Sequence, residues 1–255
     1  MKPVALVTGS GRGIGLECAM ALARGGFSVA LNGLGDDAEL ASAVERVKGV
    51  GADAIAVPFD VTDYGCYASK FELIETRLGP LTTLVNNAGI GVMSRGDILD
   101  VTEASYDRCF AVNTKAPFFL TQAFGRHVLV RNEREGHFYS VVNITSSNAT
   151  AVAEQRGEYC ASKAAAAMIS KTYAVRFGRE NIAVYDVQPG LISTEMTASV
   201  IEQYDRRAKG GLTLIPRVGL PEEVGQVVAQ LAFGNLKYTT GQVISVDGGM
   251  LVSRF

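Results

Sequence analysis

The sequence predicts an α/β fold, a single parallel, doubly wound sheet of about seven strands with helices on both faces. Short β-rich runs alternate with helix-like stretches along nearly the whole chain, which is the rhythm of repeated βαβ units. Runs such as Val4-Ala5-Leu6-Val7 and residues 139–144 are almost continuously apolar, as strands covered on both faces must be. The first run passes at once through a glycine-rich turn into a helical period.

Taken in order, strands are expected at 3–8, 27–32, 54–58, 83–87, 138–145, 182–188 and 242–246. Helices are expected at 14–24, 37–50, 64–78, 105–130 and 158–179, and a last one opens at Pro221-Glu222-Glu223, with proline and acids in its first turn. Asp36 and Asp37 suit the capping of the second helix. Residues 191–217 show no clean strand period and are read as a mobile lid over a crevice at the strands' carboxyl ends.

The 255 residues, 47% hydrophobic and 20% charged, form a single domain spanning 1–255, with no internal repeat or linker-like tract. A net charge of -2 gives no electrostatic reason to invoke nucleic acid or a membrane surface. No apolar stretch is long enough to span a bilayer, and Met1-Lys2-Pro3 leads straight into a strand without a signal-peptide pattern. Cys18, Cys66, Cys109 and Cys160 are scattered singly; neither a metal site nor a disulfide framework is expected, and the thiols suit the cytoplasm.

The turn Thr8-Gly9-Ser10-Gly11-Arg12-Gly13-Ile14-Gly15 has the spacing to bring backbone close to a pyrophosphate at a helix N-terminus. This is a Rossmann-type arrangement. An acid at the end of the second strand would select NAD(H) by gripping its ribose, but that strand closes with Asn32-Gly33-Leu34. Arg12 offers a guanidinium to a 2′-phosphate. NADP(H) is therefore favoured, with NAD(H) kept open by Asp36 and Asp37.

Tyr159 and Lys163 stand four residues apart at the start of a helix and so share one face. A free tyrosine, with a pKa of about 10, is a poor proton donor or acceptor at neutral pH, and a nearby cation stabilises its phenolate by about 1.4 kcal/mol per unit of lowering. Lys163 is expected to supply that field.

Four motifs in register, Thr8-Gly9-x-x-x-Gly13-x-Gly15, Asn86-Asn87-Ala88-Gly89, Tyr159-x-x-x-Lys163 and Pro189-Gly190, resemble the short-chain dehydrogenase/reductase family, especially its 3-oxoacyl-[acyl-carrier-protein] reductases. The resemblance runs through Asp247-Gly248-Gly249. It implies that Ser146, or its neighbour Ser147, orients the substrate oxygen, and that Asn113 bends a helix and holds a water in a proton relay. It further implies that Asp60 and Val61 meet the adenine, although Asp60 has an equal reading as an N-cap. Gly9, Gly11, Arg12, Gly13, Ile14, Gly15, Asn87, Ala88, Gly89, Tyr159, Lys163, Pro189, Gly190, Ile192 and Thr194 would complete the cofactor contacts.

The implied reaction is hydride transfer between nicotinamide and a carbonyl carbon, with Tyr159 moving the proton. The expected substrate is a small or thioester-linked carbonyl, with a polyol, sugar or small hydroxy acid as the alternative on the same chemistry. A non-catalytic dinucleotide sensor need not retain the Tyr, Lys, Ser and Asn set, and an epimerase would need a larger C-terminal domain. Arg206, Arg207, Lys209 and Arg217 make the lid basic, with solvated charge as the plainer reading. For carrier-protein docking, Arg131, Arg134 and Arg179 are interleaved with Glu133, Glu135 and Glu180, which argues against it. The resemblance also implies a homo-oligomer, a tetramer or dimer, with the alanine-rich stretch 164–167 permitting close helix approach.

Overall fold

Seven short strands, β1 (Val4–Val7), β2 (Ser28–Leu31), β3 (Ala54–Ala56), β4 (Leu81–Asn86), β5 (Tyr139–Ile144), β6 (Ile182–Pro189) and β7 (Val243–Val246), are joined by helices in a computed structural model that describes residues 2–131 and 136–254. They form one parallel sheet in the order β3-β2-β1-β4-β5-β6-β7. The chain winds outward from β1 to β3, then returns to β4 on the other side of β1. That reversal opens a crevice beyond the ends of β1 and β4.

Register fixes what meets at this edge. Val7 pairs with Leu31 on one side and Val85 on the other, Asn86 pairs with Asn143, and Pro189 pairs with Val246. The loops after β1, β2, β4, β5 and β6 therefore all leave from one level.

Helices α1 (Gly13–Arg24), α2 (Ala38–Lys48) and α8 (Pro221–Ala232) pack one sheet face through Leu16, Leu22, Val44 and Val228. On the other face lie α3 (Tyr67–Leu78), α4 (Glu103–Phe110), α5 (Ala116–Leu129) and α6 (Gly157–Gly178), with Phe71, Phe124, Tyr173 and Phe177 in the core. At about 25 cal/mol per Å² of buried apolar surface, these two cores supply the main drive to fold.

Three expectations are refined. The helix expected at 105–130 starts at Glu103, because Thr102 caps it by accepting from the Ser105 N–H at 3.2 Å, and it is interrupted by a π-helical turn at Ala111–Lys115. Strand β4 begins earlier than its apolar run suggested: Thr82 and Thr83 are buried but satisfied, by the Val4 carbonyl and the Ser140 hydroxyl. The span 191–217 holds a 3-10 stretch Glu195–Val200, helix α7 (Ile201–Arg207) and a π-helical turn Ala208–Leu212. Leu191, Tyr204 and Ala208 form a small buried cluster there, and the Gly248 carbonyl accepts from Leu214 and Ile215. Glu133, Arg134 and Glu135 lie outside the described residues. Among the described residues, no helix is long and apolar enough to cross a membrane.

Candidate active site

The glycine turn is shaped by close approach. Gly9 and Gly13 take left-handed backbone, at φ 60° and 55°, which favours glycine. A Cβ on Gly15 would lie 2.2 Å from the Gly9 carbonyl oxygen and 2.4 Å from Asn87 Nδ2. Arg12 is the extended N-cap of α1 and makes no side-chain cap, so the first amides of the helix stay available to an anion. Asn87 Nδ2 donates to the Thr8 and Gly9 carbonyls at 2.9 Å, and the Thr8 hydroxyl accepts from the Asn87 and Ala88 N–H groups at 3.0 Å. The Asn87-Ala88 segment thus holds the turn across the β1/β4 crevice, and the cradle fits a dinucleotide pyrophosphate.

Arg12 itself is engaged at its outer end. It pairs with Glu39 of α2 at 3.1 Å and approaches Glu195 at 3.9 Å, beside a cleft of about 500 Å³ that these residues line with Thr194. The side chain of Thr194 faces Gly13, and its hydroxyl is 3.2 Å from that of Thr197.

Asn32, where an acid would select NAD(H), is a structural hub. It is buried, accepts from the Gly9 N–H at 3.1 Å and donates to the Gly33, Val57 and Phe59 carbonyls. Asp37 caps α2 by accepting from Leu40 N. Asp60 is not the N-cap of α3, a position held by Cys66; its Oδ1 instead closes a turn by accepting from the Thr62 N–H and hydroxyl at 2.8 Å. Val61 is buried in the core, and its carbonyl accepts from the Tyr67 hydroxyl.

Strands β5 and β6 and helix α6 bring the second group together. The Ser146 hydroxyl accepts from the Asn148 N–H at 3.1 Å and lies near enough to the Tyr159 phenol to draw its pKa down. Ser147, the fallback, is the first residue of a 3-10 turn. Lys163 is buried and donates to the Ile144 carbonyl at 3.0 Å. Asn113 sits in the π-helical turn, where the extra residue turns its side chain out of the helix. It accepts from the Ile90 N–H at 2.9 Å and donates to the Ile90 carbonyl and the Ser162 hydroxyl. Gly89 passes between the two: a Cβ there would be 3.3 Å from Asn113 Oδ1 and 3.4 Å from Lys163 Nζ.

The electrostatics differ from the expectation in one respect. Burial raises the Tyr159 pKa above its ordinary value, opposed by the Ser146 hydroxyl and by the Arg156 guanidinium, and Lys163 is not the group that relieves it. The Lys163 ammonium stands 5.8 Å from the ring centroid, tied to Ile144. Burial itself lowers the Lys163 pKa, from 10.5 to about 8, against the favourable charge of Asp186. Asp186 is pushed up by burial and drawn back by hydrogen bonds from Thr145 and Gln188, then by Lys163. Between about pH 8 and the ordinary lysine value the unfolded chain holds more protons than the folded one, so this site makes stability rise with pH across that window. Below it, the full cost of burying the cation is present. Lys163→Met is therefore expected to raise the melting temperature at pH 7 by a few degrees, with the gain shrinking above pH 8; calorimetry at pH 6, 7 and 9 checks it, and a lower melting temperature at pH 7 would contradict it.

Pro189 and Gly190 end β6 against the last strand, Gly190 donating to the Val246 carbonyl at 3.0 Å and lying so near Asp247 that a Cβ would clash. Ile192 buries its side chain in the core, and its carbonyl accepts from the Thr197 hydroxyl at 2.7 Å. The residues singled out from the sequence thus form three groups along one sheet edge: the glycine turn with Asn87, Ala88 and Thr194; the Ser146, Tyr159, Lys163, Asn113 and Gly89 cluster; and Asp60 with Val61 at the far end. Sequence reasoning missed Asn32 as a hub, Glu39 against Arg12, Asp186 beside Lys163, and Arg156 against Tyr159. Only the placement of Arg156 three residues before Tyr159 gave a readable signal.

A family model described as enoyl-(acyl carrier protein) reductase matches residues 9–251. Versicolorin reductase 1 of Aspergillus parasiticus is 35% identical over 96% of this chain and 95% of its own length. The 5-keto-D-gluconate 5-reductase of Escherichia coli strain K12 is 34% identical over 97% and 95%. The crystal structure of 3-oxoacyl-[acyl-carrier protein] reductase from Brucella melitensis in complex with NAD superposes with a TM-score of 0.96 at 34% identity, covering 100% of this chain and 99% of that one.

Proposed function

This chain belongs to the short-chain dehydrogenase/reductase family and is an oxidoreductase interconverting a carbonyl and an alcohol; from that premise we propose that Tyr159, Ser146, Lys163 and Asn113 carry the proton side of the reaction. The observation that carries the reading is the convergence of Ser146, Tyr159 and Lys163, with the Ser146 hydroxyl near enough to favour the Tyr159 phenolate and the Lys163 ammonium 5.8 Å from its ring. When bound, the nicotinamide dinucleotide supplies or accepts the hydride at the carbonyl carbon.

The chain's own part is binding, orientation and proton transfer. Ser146 and Tyr159 converge on one point, where two hydroxyls hold the substrate oxygen and polarise it. Tyr159 then gives its phenolic proton to that oxygen in reduction, or takes it in oxidation. Its raised pKa keeps the proton in place until negative charge develops on the oxygen. Ser146 and the Arg156 guanidinium favour the phenolate once the proton has left, while Lys163, tied to the Ile144 carbonyl, would grip the nicotinamide ribose. Asn113, locked to Ile90, keeps the helix open where a water would refill the proton.

The glycine turn, Arg12, Ile14, Asn87, Ala88, Gly89, Asp60, Val61, Pro189, Gly190, Ile192 and Thr194 would hold the cofactor, and the span 191–217 would close over it. NADP(H) is the favoured form. Asn32 spends its side chain on the carbonyls of Gly33, Val57 and Phe59, leaving no acid for the ribose hydroxyls, and Arg12 is exposed at the mouth. Glu39 competes for that guanidinium. Glu39→Gln is expected to tighten NADPH binding about 2–5-fold, the strength of an exposed ion pair, and to leave NADH unchanged; nucleotide fluorescence titration reads both, and equal effects on the two would remove Arg12 from the 2′-phosphate site.

Two substrate classes suit this chemistry, 3-oxoacyl thioesters and keto forms of sugars or hydroxy acids. Four single, unpaired cysteines, Cys18 and Cys109 buried and Cys66 and Cys160 half-buried, fit a reducing cytoplasm. A homo-oligomer is proposed through α6, whose outer face exposes Met168 and Val175, and through the edge strand β7. The function is tested by following NADPH oxidation against a panel of these carbonyls; no turnover with any of them would favour a dinucleotide sensor.

A further inference from the structure

Arg156 closes a 3-10 turn, Glu154–Arg156, that runs directly into α6. Its guanidinium carbon stands 5.4 Å from the centroid of the Tyr159 ring, and its Nε is buried with no hydrogen-bond partner. Arg12, Arg46, Arg131, Arg176, Arg206 and Arg217 all find carboxylates. Among the described residues Arg156 forms no ion pair. Of the acids beside it in sequence, Glu158 accepts from the Ser105 hydroxyl at 2.7 Å and Glu154 is exposed.

The turn is tied to the loop after β4. Gly96, in the loop after β4, donates to the Gln155 carbonyl at 3.3 Å, and Ile98 packs on Gly157. Tyr204 of α7, buried, lies near enough to Tyr159 to act on its titration. A guanidinium held beside the Tyr159 ring, with its Nε unspent and no carboxylate among the described residues paired to it, matches a planar anion in two-pronged fashion.

We propose that Arg156 anchors an anionic group of the substrate, a carboxylate a few atoms from the reacting carbonyl, so that the substrate class is keto acids and the corresponding hydroxy acids, sugar acids included. This rests on the carbonyl reduction proposed above. One small molecule then spans both points, its carbonyl on the Ser146 and Tyr159 hydroxyls and its carboxylate on Arg156. A long-chain thioester brings no charge to this position, because its reacting end is neutral.

The test pairs acids with neutral counterparts: 5-keto-D-gluconate with D-fructose, and acetoacetate with methyl acetoacetate, for the parent, Arg156→Lys and Arg156→Gln. Arg156→Gln is expected to raise KM for the acids on the order of 10–100-fold and to leave KM for the neutral substrates within about threefold, with any fall in kcat that comes through the Tyr159 pKa common to both sets, and Arg156→Lys to recover part of the KM loss. In parallel, phenylglyoxal labelling of Arg156 is followed by peptide mass spectrometry in the parent loaded with NADP+, with and without gluconate, which is expected to protect. Equal rises in KM for acids and neutrals, or a KM unchanged for both, would assign Arg156 to the Tyr159 ring alone and overturn the proposal, as would labelling that gluconate does not slow. If the parent reduces none of the four carbonyls, the reduction reading fails by itself, while gluconate protection still decides the anion site.

Discussion

Tyr159→Phe is expected to keep NADPH affinity within about twofold of the parent and to lower turnover about a thousandfold, the scale of a lost general acid. Only the hydroxyl goes. The ring keeps its place between Arg156 and Lys163, so neither the fold nor the nucleotide cradle is disturbed. What remains is an oxygen held by Ser146 alone, with no proton donor positioned as charge develops. Single-turnover oxidation of bound NADPH measures the step directly, and fluorescence titration measures affinity. Turnover within tenfold of the parent would mean that another group delivers the proton, and weakened NADPH binding would mean that the phenol serves the cofactor instead.

Asn32→Leu is expected to lower stability by about 3–5 kcal/mol. The side chain is nearly isosteric, but the Gly9 N–H and the Val57 and Phe59 carbonyls lose a partner, while the Gly33 carbonyl keeps the Phe59 N–H. Each such orphan costs about 1–3 kcal/mol, and backbone relaxation makes them less than additive. For a chain of this size that is roughly 10 °C of melting temperature. NADPH affinity should fall as well, because the Gly9 amide loses the bond that orients the turn. Calorimetry with and without nucleotide separates the two effects; a melting temperature within about 3 °C of the parent would remove Asn32 from the role assigned to it.

These two residues also show where the sequence was legible. Tyr159 and Lys163 were readable because both lie on one helix, where spacing alone sets their common face. The glycine turn was readable for the same local reason, and the alternating apolar runs gave the strands to within a few residues. Asn32 was visible only as the absence of an acid, since its partners lie at the ends of three different strands and depend on register. Asp186 reaches Lys163, and Glu39 reaches Arg12, only because parallel strands and their loops end at one level. The span 191–217 hid its helices because they are short and broken at Gly210-Gly211, where Gly211 turns left-handed at φ 93°. The bend at Asn113 came from the resemblance, and its π-helical form from the structure.

The sheet order has one more consequence, which belongs to the chain's history before it has a site at all. Strand β1 pairs on one side with β2, which follows closely, and on the other with β4, which begins only at Leu81. At about 5–20 residues per second of synthesis, the Val4–Val7 edge waits roughly 4 to 15 seconds on the ribosome with its backbone groups unpaired. It is an apolar, uncharged edge in the middle of the future sheet, the kind that recruits other strands. Every later half of the molecule, including the helix that bears Tyr159, is built against that one reserved position, so the nascent chain is most vulnerable to mispairing before any of its chemistry exists.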